Sequence, residues 1–396
     1  MASLDAAADP RFAIERGLYV PRAGRSLVDA VAGRLELQPA STHLVVGGIG
    51  SGKTTQLLMA AQRLSKVEDT LAEYVDVSAL HDIGSLQSKV LLVLAGLRLV
   101  KKLKKDERAE LSDAIEEINH AAHGYTYFHE YTEDDYDQSD YEPPDEPPGE
   151  YVRIPGILNP PSVEKPKEIG SSLVKALNTV KKKIATRIPH IVFLFDSLDR
   201  LTDATGFEQV VLEDTRVLRS IGIGVVLVGP LKLLYGAYRP ITQRFDALYQ
   251  VQWSDPDVPD GRNFLLQVLK ARAPDGLLSD EGASRLVELS GGVLRDLVGI
   301  ARNAGEEAYL SGDEQISATH SGAAGEAFGR TLLLGLDPDD ITKLQAVRMQ
   351  GSFVPVSDKD LALLMTGRVL EYQGPRTRYA VHPTIRPLLE QLSEQP

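Results

Sequence analysis

Residues 43–59 read HLVVGGIGSGKTTQLLM, with glycine at four of six positions (Gly47, Gly48, Gly50 and Gly52) directly before Lys53, Thr54 and Thr55. Neither a helix nor a strand holds that much backbone freedom, so the stretch must be a loop between ordered neighbours. Leu44–Val46 is a short apolar run of the kind buried in a sheet, and Gln56–Leu64 carries apolar residues at helical spacing. Strand, tight loop and helix in direct succession point to an α/β architecture. The spacing Gly47-x-x-x-x-Gly52-Lys53-Thr54 narrows this to a phosphate-binding loop. Its glycines let the N–H groups around Ser51 face one anion, and the helix starting near Lys53 adds the positive end of its dipole. Lys53 is placed to reach the β- and γ-phosphates of a nucleotide, and the Thr54 hydroxyl, with Thr55 beside it, to ligate Mg²⁺.

The same alternation continues along the chain. An extended entry, Leu18–Pro21, leads into a helix with Leu27, Val28, Val31 and Leu35 on one face. Further strands are expected at 43–47, 72–80, from 190 to the acid at 196, within 221–236, and at 247–253. Helices are expected at 83–105 and 168–186. The near-continuous hydrophobicity of IVFLF and VVLV marks strands buried on both faces, as in a parallel sheet. Residues 106–170 are charged, then Tyr- and acid-rich, then Pro-rich, and are expected to form a mobile or partner-ordered insertion without a core. After 255 the pattern turns helical. A glycine-rich stretch (321–329) and the DPDD that follows introduce a last piece with the order helix, helix, two short strands joined by GPRT, helix, which is winged-helix arithmetic.

Composition excludes several classes. With no cysteine there is no disulfide or zinc–thiolate site. No run approaches the roughly 20 apolar residues of a membrane helix, and MASLDAAADPRFAIERG has no signal-peptide pattern, so no membrane association and a cytoplasmic location are expected. The net charge of −13 is concentrated. Residues 129–150 hold ten acids and no Lys or Arg. That segment, with Tyr125, Tyr127, Tyr131, Tyr136 and Tyr141 in or beside it, reads as a solvated loop, as a mimic of nucleic acid or as the docking site of a basic partner.

Asp196 ends the expected third core strand and should lie beside the phosphate loop, where a carboxylate holds the hydration shell of Mg²⁺. The next residue is Ser197, not a glutamate, so Asp199 is the nearest acid able to activate water. The alternative for Asp199 is an ion pair with Arg200.

The pair GGIGSGKTT and VFLFDSLDRL resembles the P-loop ATPases of the AAA+/STAND assemblage. The DSLDR ending is similar to the KAP and NACHT styles, and the layout is similar to that of the initiator ATPases. LYVPRAGRSLVDAV resembles the family's entry segment, which implies that Tyr19, Val20, Pro21 and Arg22 lie near adenine. SGGVLRDLVGIARNA is similar to the sensor-2 helix, which implies that Arg295 faces the γ-phosphate. YRPITQRFDAL implies an arginine finger acting on a neighbouring subunit, Arg244 in preference to Arg239. The chain departs from the family where its fourth strand ends in Val228-Gly229-Pro230, without a polar sensor residue.

The expected organisation is an entry segment and helix (1–40), an α/β P-loop ATPase core (41–255), a helical lid (256–320) and a winged-helix-like domain (330–396). The resemblance implies an ATP-binding, Mg²⁺-dependent ATPase switch that self-associates, a regulatory or sensor role in a bacterial defence or conflict system, and catalysis by Lys53, Asp196, Asp199 and Arg244. Two rivals stand beside it: a DNA-binding ATPase of the initiator or transposition-helper kind, and an ATP-stabilised scaffold without hydrolysis. SDKDLALLMTG, the expected recognition helix, has one lysine against two aspartates. Arg368, Arg376 and Arg378 are the basic residues of the wing, so the last piece reads as a protein-docking unit before a DNA reader.

Overall fold

A computed structural model describes residues 10–22, 24, 26–130, 149–158, 171–201, 206–374 and 376–393. Tyr131, Tyr136 and Tyr141, and most of the acidic segment, lie outside the described residues.

Helices α1 (Pro10–Glu15) and α2 (Leu27–Leu37) precede β1 (Thr42–Gly47), α3 (Lys53–Leu64) and β2 (Thr70–Asp76). There follow α4 (Val90–Lys102), α5 (Lys105–Glu110), α6 (Ser112–His123), the hairpin β3 (Gly124–Glu130) and β4 (Gly149–Pro155), α7 (Ser171–Ala185) and β5 (His190–Asp196). The core ends with α8 (Glu213–Ser220), β6 (Ile223–Val228) and β7 (Ala247–Val251). Five strands form one parallel sheet in the order β2-β5-β6-β1-β7. The three inner strands are buried on both faces, as their continuous apolar runs require, and the edge strands β2 and β7 are half-exposed. One face packs Leu44, Phe193, Phe195 and Leu227 against α4, α6, α7 and α8. The other packs Val45, Leu194 and Val226 against α2 and α3. This is the expected α/β P-loop fold.

Three expectations for the core are corrected. Residues 105–123 are not a coreless insertion but two helices, and Ile118, Ala121 and Ala122 of α6 are buried, Ile118 against the missing side chain of Gly96. The apolar stripe is short and diluted by charge, which hid its period. The second strand stops at Asp76 because that side chain accepts from the Ser78 N–H and starts a 3₁₀ turn, Val77–Ala79. The helix expected from residue 83 begins only at Val90, where Asp214 from α8 caps it by accepting from the N–H groups of Lys89 and Leu91.

Beyond the core, α9 (Pro259–Lys270), α10 (Asp280–Leu289), α11 (Leu294–Ser311) and α12 (Ala318–Leu333) share a second apolar core. The glycine-rich stretch 321–329, expected to introduce the last piece, lies inside α12. Its glycines permit close packing: a Cβ at Gly325 would lie 2.7 Å from the Leu289 side chain, and one at Gly329 would lie 2.3 Å from the Thr384 carbonyl oxygen. The chain ends with α13 (Pro338–Gln350), α14 (Asp358–Met365), the antiparallel hairpin β8 (Val369–Tyr372) and β9 (Arg378–Val381), and α15 (Arg386–Ser393). Their core includes Leu231, from the turn after β6.

Candidate functional site

The loop between β1 and α3 is held from outside, carbonyl by carbonyl. The Ile49 oxygen accepts from the Trp253 indole N–H at 3.0 Å. The Gly50 oxygen accepts from the Leu294 N–H, the first residue of α11, at 3.0 Å. The Ser51 oxygen accepts from the Arg22 guanidinium at 2.8 Å. In a planar trans peptide the C=O and the next N–H point in opposite directions. Trp253 does not line the cavity that the loop borders, so fixing the Ile49 oxygen on it turns the Gly50 N–H toward that cavity; the Gly52 N–H points away from the Ser51 oxygen held by Arg22, and neither N–H donates to a described residue. Gly50 (φ 73°) and Gly52 (φ 94°) supply the left-handed backbone this needs. Gly47 and Gly48 serve another purpose. A Cβ at Gly47 would lie 2.5 Å from the Val251 oxygen, and one at Gly48 only 1.9 Å from the Trp253 ring.

The loop borders a cavity of about 590 Å³, ample for a nucleotide. Gly50, Gly52, Lys53, Thr54, Thr55, Asp196, Asp199, Arg295, Tyr19, Val20 and Arg22 all line it. Gly47, Gly48, Ser51 and Pro21 do not: the first two pack on Val251 and Trp253, and Ser51 is fully buried with no partner for its hydroxyl among the described residues. Lys53 Nζ donates to the Gly47 and Gly48 oxygens at 2.9 and 3.0 Å and lies 2.9 Å from Asp199 Oδ2. Asp199 thus pairs with the loop lysine, not with its neighbour Arg200.

Asp196 is 2 % exposed. Burial pushes its pKa up, opposed by hydrogen bonds from the Thr54 hydroxyl, the Ser197 N–H and the Tyr74 hydroxyl. The Tyr74 bond is 2.8 Å, and burial together with Asp196 drives the phenol far above its ordinary range. Ser197 sits at φ 71°, a strained conformation for a non-glycine residue. It is held there by its N–H on Asp196 Oδ1 (2.7 Å) and its hydroxyl on Asp76 Oδ1 (2.7 Å). Burial acts against the Asp76 carboxylate, but the bonds from Ser197 and Ser78 keep its pKa below the usual value.

The lining also includes apolar residues, Phe12 and Leu18 from the entry segment and Phe264 and Val268 of α9. Besides Ser51, Arg22 donates to the Gln252 oxygen at 2.7 Å and lies 5.3 Å from the Phe264 ring, with its pKa lowered by burial. Arg295 stands over the loop, so that a Cβ at Gly50 would come within 2.9 Å of the Arg295 Cβ. Sequence reasoning missed Tyr74, Asp76, Trp253 and Arg272. Arg272 lines the cavity and donates to the Leu18 oxygen at 3.1 Å. Each comes from an element distant in sequence, and none belongs to a local motif.

Arg239 and Arg244 do not line the cavity; Arg244 pairs with Glu208 at 3.1 Å on the surface. The arginines of the last hairpin are largely engaged within the chain. Arg378 binds both oxygens of Asp255 at 2.7 Å, and Arg368 donates to the Leu332 and Leu334 oxygens. The fourth strand indeed ends apolar: a side chain at Gly229 would meet Leu44, Leu233 and Phe207.

Would ATP and Mg²⁺ fit? The Gly50 N–H, a helix N-terminus and Lys53 suit a polyphosphate. Thr54 and Asp196 offer two hard oxygen donors side by side, and the described residues contain no cluster of three or more His, Cys, Asp or Glu that could cage a metal. Mg²⁺, which keeps waters and phosphate oxygens as its other ligands, matches that sparse donor set. No described helix is long and apolar enough to cross a membrane.

No family model matches the sequence, and none of the curated proteins does. Several solved structures are similar over nearly the whole chain. The ORC2 protein of Aeropyrum pernix, in ADPNP–ADP complexes, is 13 % identical with a TM-score of 0.46 over 95 % of this chain and 94 % of that one. The ORC1 protein of Aeropyrum pernix in complex with DNA is 13 % identical with a TM-score of 0.46 over 95 % and 96 %. The Holliday junction branch migration motor RuvB of Thermotoga maritima is 14 % identical with a TM-score of 0.43 over 96 % and 99 %.

Proposed function

We propose that the chain is an ATP-binding, ATP-hydrolysing switch. The observation that carries this reading is the phosphate loop, whose Ile49 oxygen is held away from the cavity by Trp253 and whose Gly50 and Gly52 line a cavity together with Lys53, Thr54 and Asp196. In this reading the β- and γ-phosphates lie on the N–H groups of these glycines and on Lys53, which leaves its partner Asp199 for them. The base sits between Phe12 and Phe264, and Arg295 meets the γ-phosphate from α11. Thr54 and Asp196 hold Mg²⁺, which when bound neutralises charge on the phosphate oxygens. Asp199, released from Lys53, accepts the proton of the water that attacks the γ-phosphorus; the bond to the β–γ bridging oxygen breaks, leaving ADP and phosphate.

Because Arg295 reaches the cavity from one body and Lys53 from another, loss of the γ-phosphate changes what holds the two together, which is how a nucleotide switch moves domains. Arg244 of a neighbouring copy completes the site, so the active form is a homo-oligomer. The output is regulatory, in keeping with a sensor ATPase of a bacterial defence or conflict system, and the last piece docks protein in preference to DNA, since Arg378 and Arg368 are engaged within the chain. A second reading, an ATP-stabilised scaffold without turnover, is favoured by the apolar Val228-Gly229-Pro230.

Phosphate release by wild type, Asp199→Asn and Lys53→Ala decides between them. The switch requires turnover in wild type, a loss of about 100-fold in Asp199→Asn with ATP still bound, and no binding in Lys53→Ala. ATP bound without phosphate release at any protein concentration would leave the scaffold.

A further inference from the structure

We propose that Trp253 is a positioning residue through which docking of the terminal hairpin, β8–β9, holds the phosphate loop in its anion-binding form. The inference rests on the nucleotide reading above and adds to it the residue that sets the loop. Trp253 is the chain's one tryptophan and follows the edge strand β7. Because Gly47 pairs in register with Val251, both chains leave the sheet side by side, and the indole arrives directly against the loop. One side of the ring fills the space that a Gly48 side chain would take, and its N–H holds the Ile49 oxygen outward. That bond turns the Gly50 N–H toward the cavity.

The rest of the indole belongs to a different cluster. Trp253 is buried together with Val293, at the entry to α11, and with Leu370, Tyr372 and Ala380 of the hairpin. Polar contacts fix the hairpin in place. The Tyr372 hydroxyl donates to the Gly291 oxygen at 2.6 Å, and Arg378 binds Asp255 through two bonds and Asp257 at 3.0 Å. A parallel link runs from the Gln373 side chain to that of Gln252, whose backbone oxygen receives Arg22. None of the hairpin residues lines the cavity. Their route to the nucleotide passes through the loop's backbone; the Val293 side chain packs on Gly50, and the Trp253 side chain both packs on Gly48 and donates to the Ile49 oxygen.

Removing the hairpin's grip frees the indole to leave the loop, and the Ile49 peptide is then no longer held. The hairpin variant Tyr372→Phe with Arg378→Ala, and separately Trp253→Phe, which keeps a ring but deletes the donor, test this in the full chain. Hydrogen exchange of the 47–53 amides without nucleotide should rise about fivefold in both, while cooperative unfolding is retained. Calorimetric binding of Mg–ATP should weaken about tenfold in each, the loss of one hydrogen bond's worth of preorganisation. Combining the substitutions should add little, because both act on one contact. Loop exchange unchanged in Trp253→Phe, or tenfold effects that multiply in the combination, would overturn the coupling. Wild type that binds no ATP would instead refute the nucleotide reading, and the exchange measurement would still decide the role of Trp253.

Discussion

Two buried side chains away from the cavity make opposite pH-dependent contributions. His43 lies inside β1, with its ring nitrogens on the Ser41 hydroxyl (2.7 Å) and the Tyr249 hydroxyl (3.1 Å). Burial, helped by Arg34, lowers its pKa to about 4 against Asp246. Below the ordinary histidine value the unfolded chain takes up a proton that the native ring refuses, so this residue's contribution falls as pH drops from about 6.5 to 4. Asp214 does the reverse. Burial raises its pKa to about 7 despite the two N–H groups it caps. Between about 4 and 7 the native chain holds a proton that the unfolded chain lacks, so this contribution falls as pH rises. Urea unfolding at pH 4.5 and pH 7 separates them. Relative to wild type, His43→Gln should lose its advantage at pH 7 and Asp214→Asn should gain there, each difference on the order of 3 kcal/mol at most. Parallel pH curves for both variants and wild type would show that neither group titrates on unfolding.

Among the elements, α12 gives the sharpest contrast between composition and environment. Gly322 has open space where a Cβ would go, whereas Gly329 faces the Thr384 backbone at 2.3 Å. Gly322→Ala should raise stability by about 0.5–1 kcal/mol through helix propensity alone. Gly329→Ala should lower it by about 2 kcal/mol or more, since backbone cannot step aside as a flexible side chain can. Equal effects at the two positions, read from thermal or urea midpoints, would refute the close packing. The same helix marks a limit of sequence reading: glycines 322, 325 and 329 signal a linker by composition and a packed helix face by spacing, and only the partner surfaces, Leu289 and Thr384, decide which. The inner strands were legible because burial on both faces writes an unbroken apolar run. The phosphate loop was legible because its glycines, lysine and threonines are contiguous. Tyr74, Asp76 and Trp253 were not, because each is an ordinary residue until the parallel register sets Asp76 beside Asp196 and Val251 beside Gly47.

At the scale of the molecule, the arrangement of charge around the cavity decides whether one copy suffices. Arg22, Arg200, Arg272 and Arg295 line the cavity from within the chain, but Arg22 donates to the Ser51 and Gln252 oxygens and Arg272 to the Leu18 and Val268 oxygens. Arg244 lies outside, about three-fifths exposed, and pairs with the half-exposed Glu208. A surface pair of that kind contributes between nothing and about 1 kcal/mol, so Arg244→Ala should leave folding and ATP binding unchanged. Any loss of turnover in that variant must then arise at another copy's cavity. Mixing discriminates this cleanly. Lys53→Ala subunits retain Arg244 but cannot hold phosphate, and Arg244→Ala subunits hold phosphate but lack the donated cation. If the cation acts between copies, each variant alone is inactive, and an equimolar mixture regains activity up to about a quarter of wild type, from the junctions that pair an intact loop with an intact arginine. Full turnover by Arg244→Ala alone, independent of protein concentration, would remove Arg244 from catalysis and leave Arg295 as the cation facing the γ-phosphate.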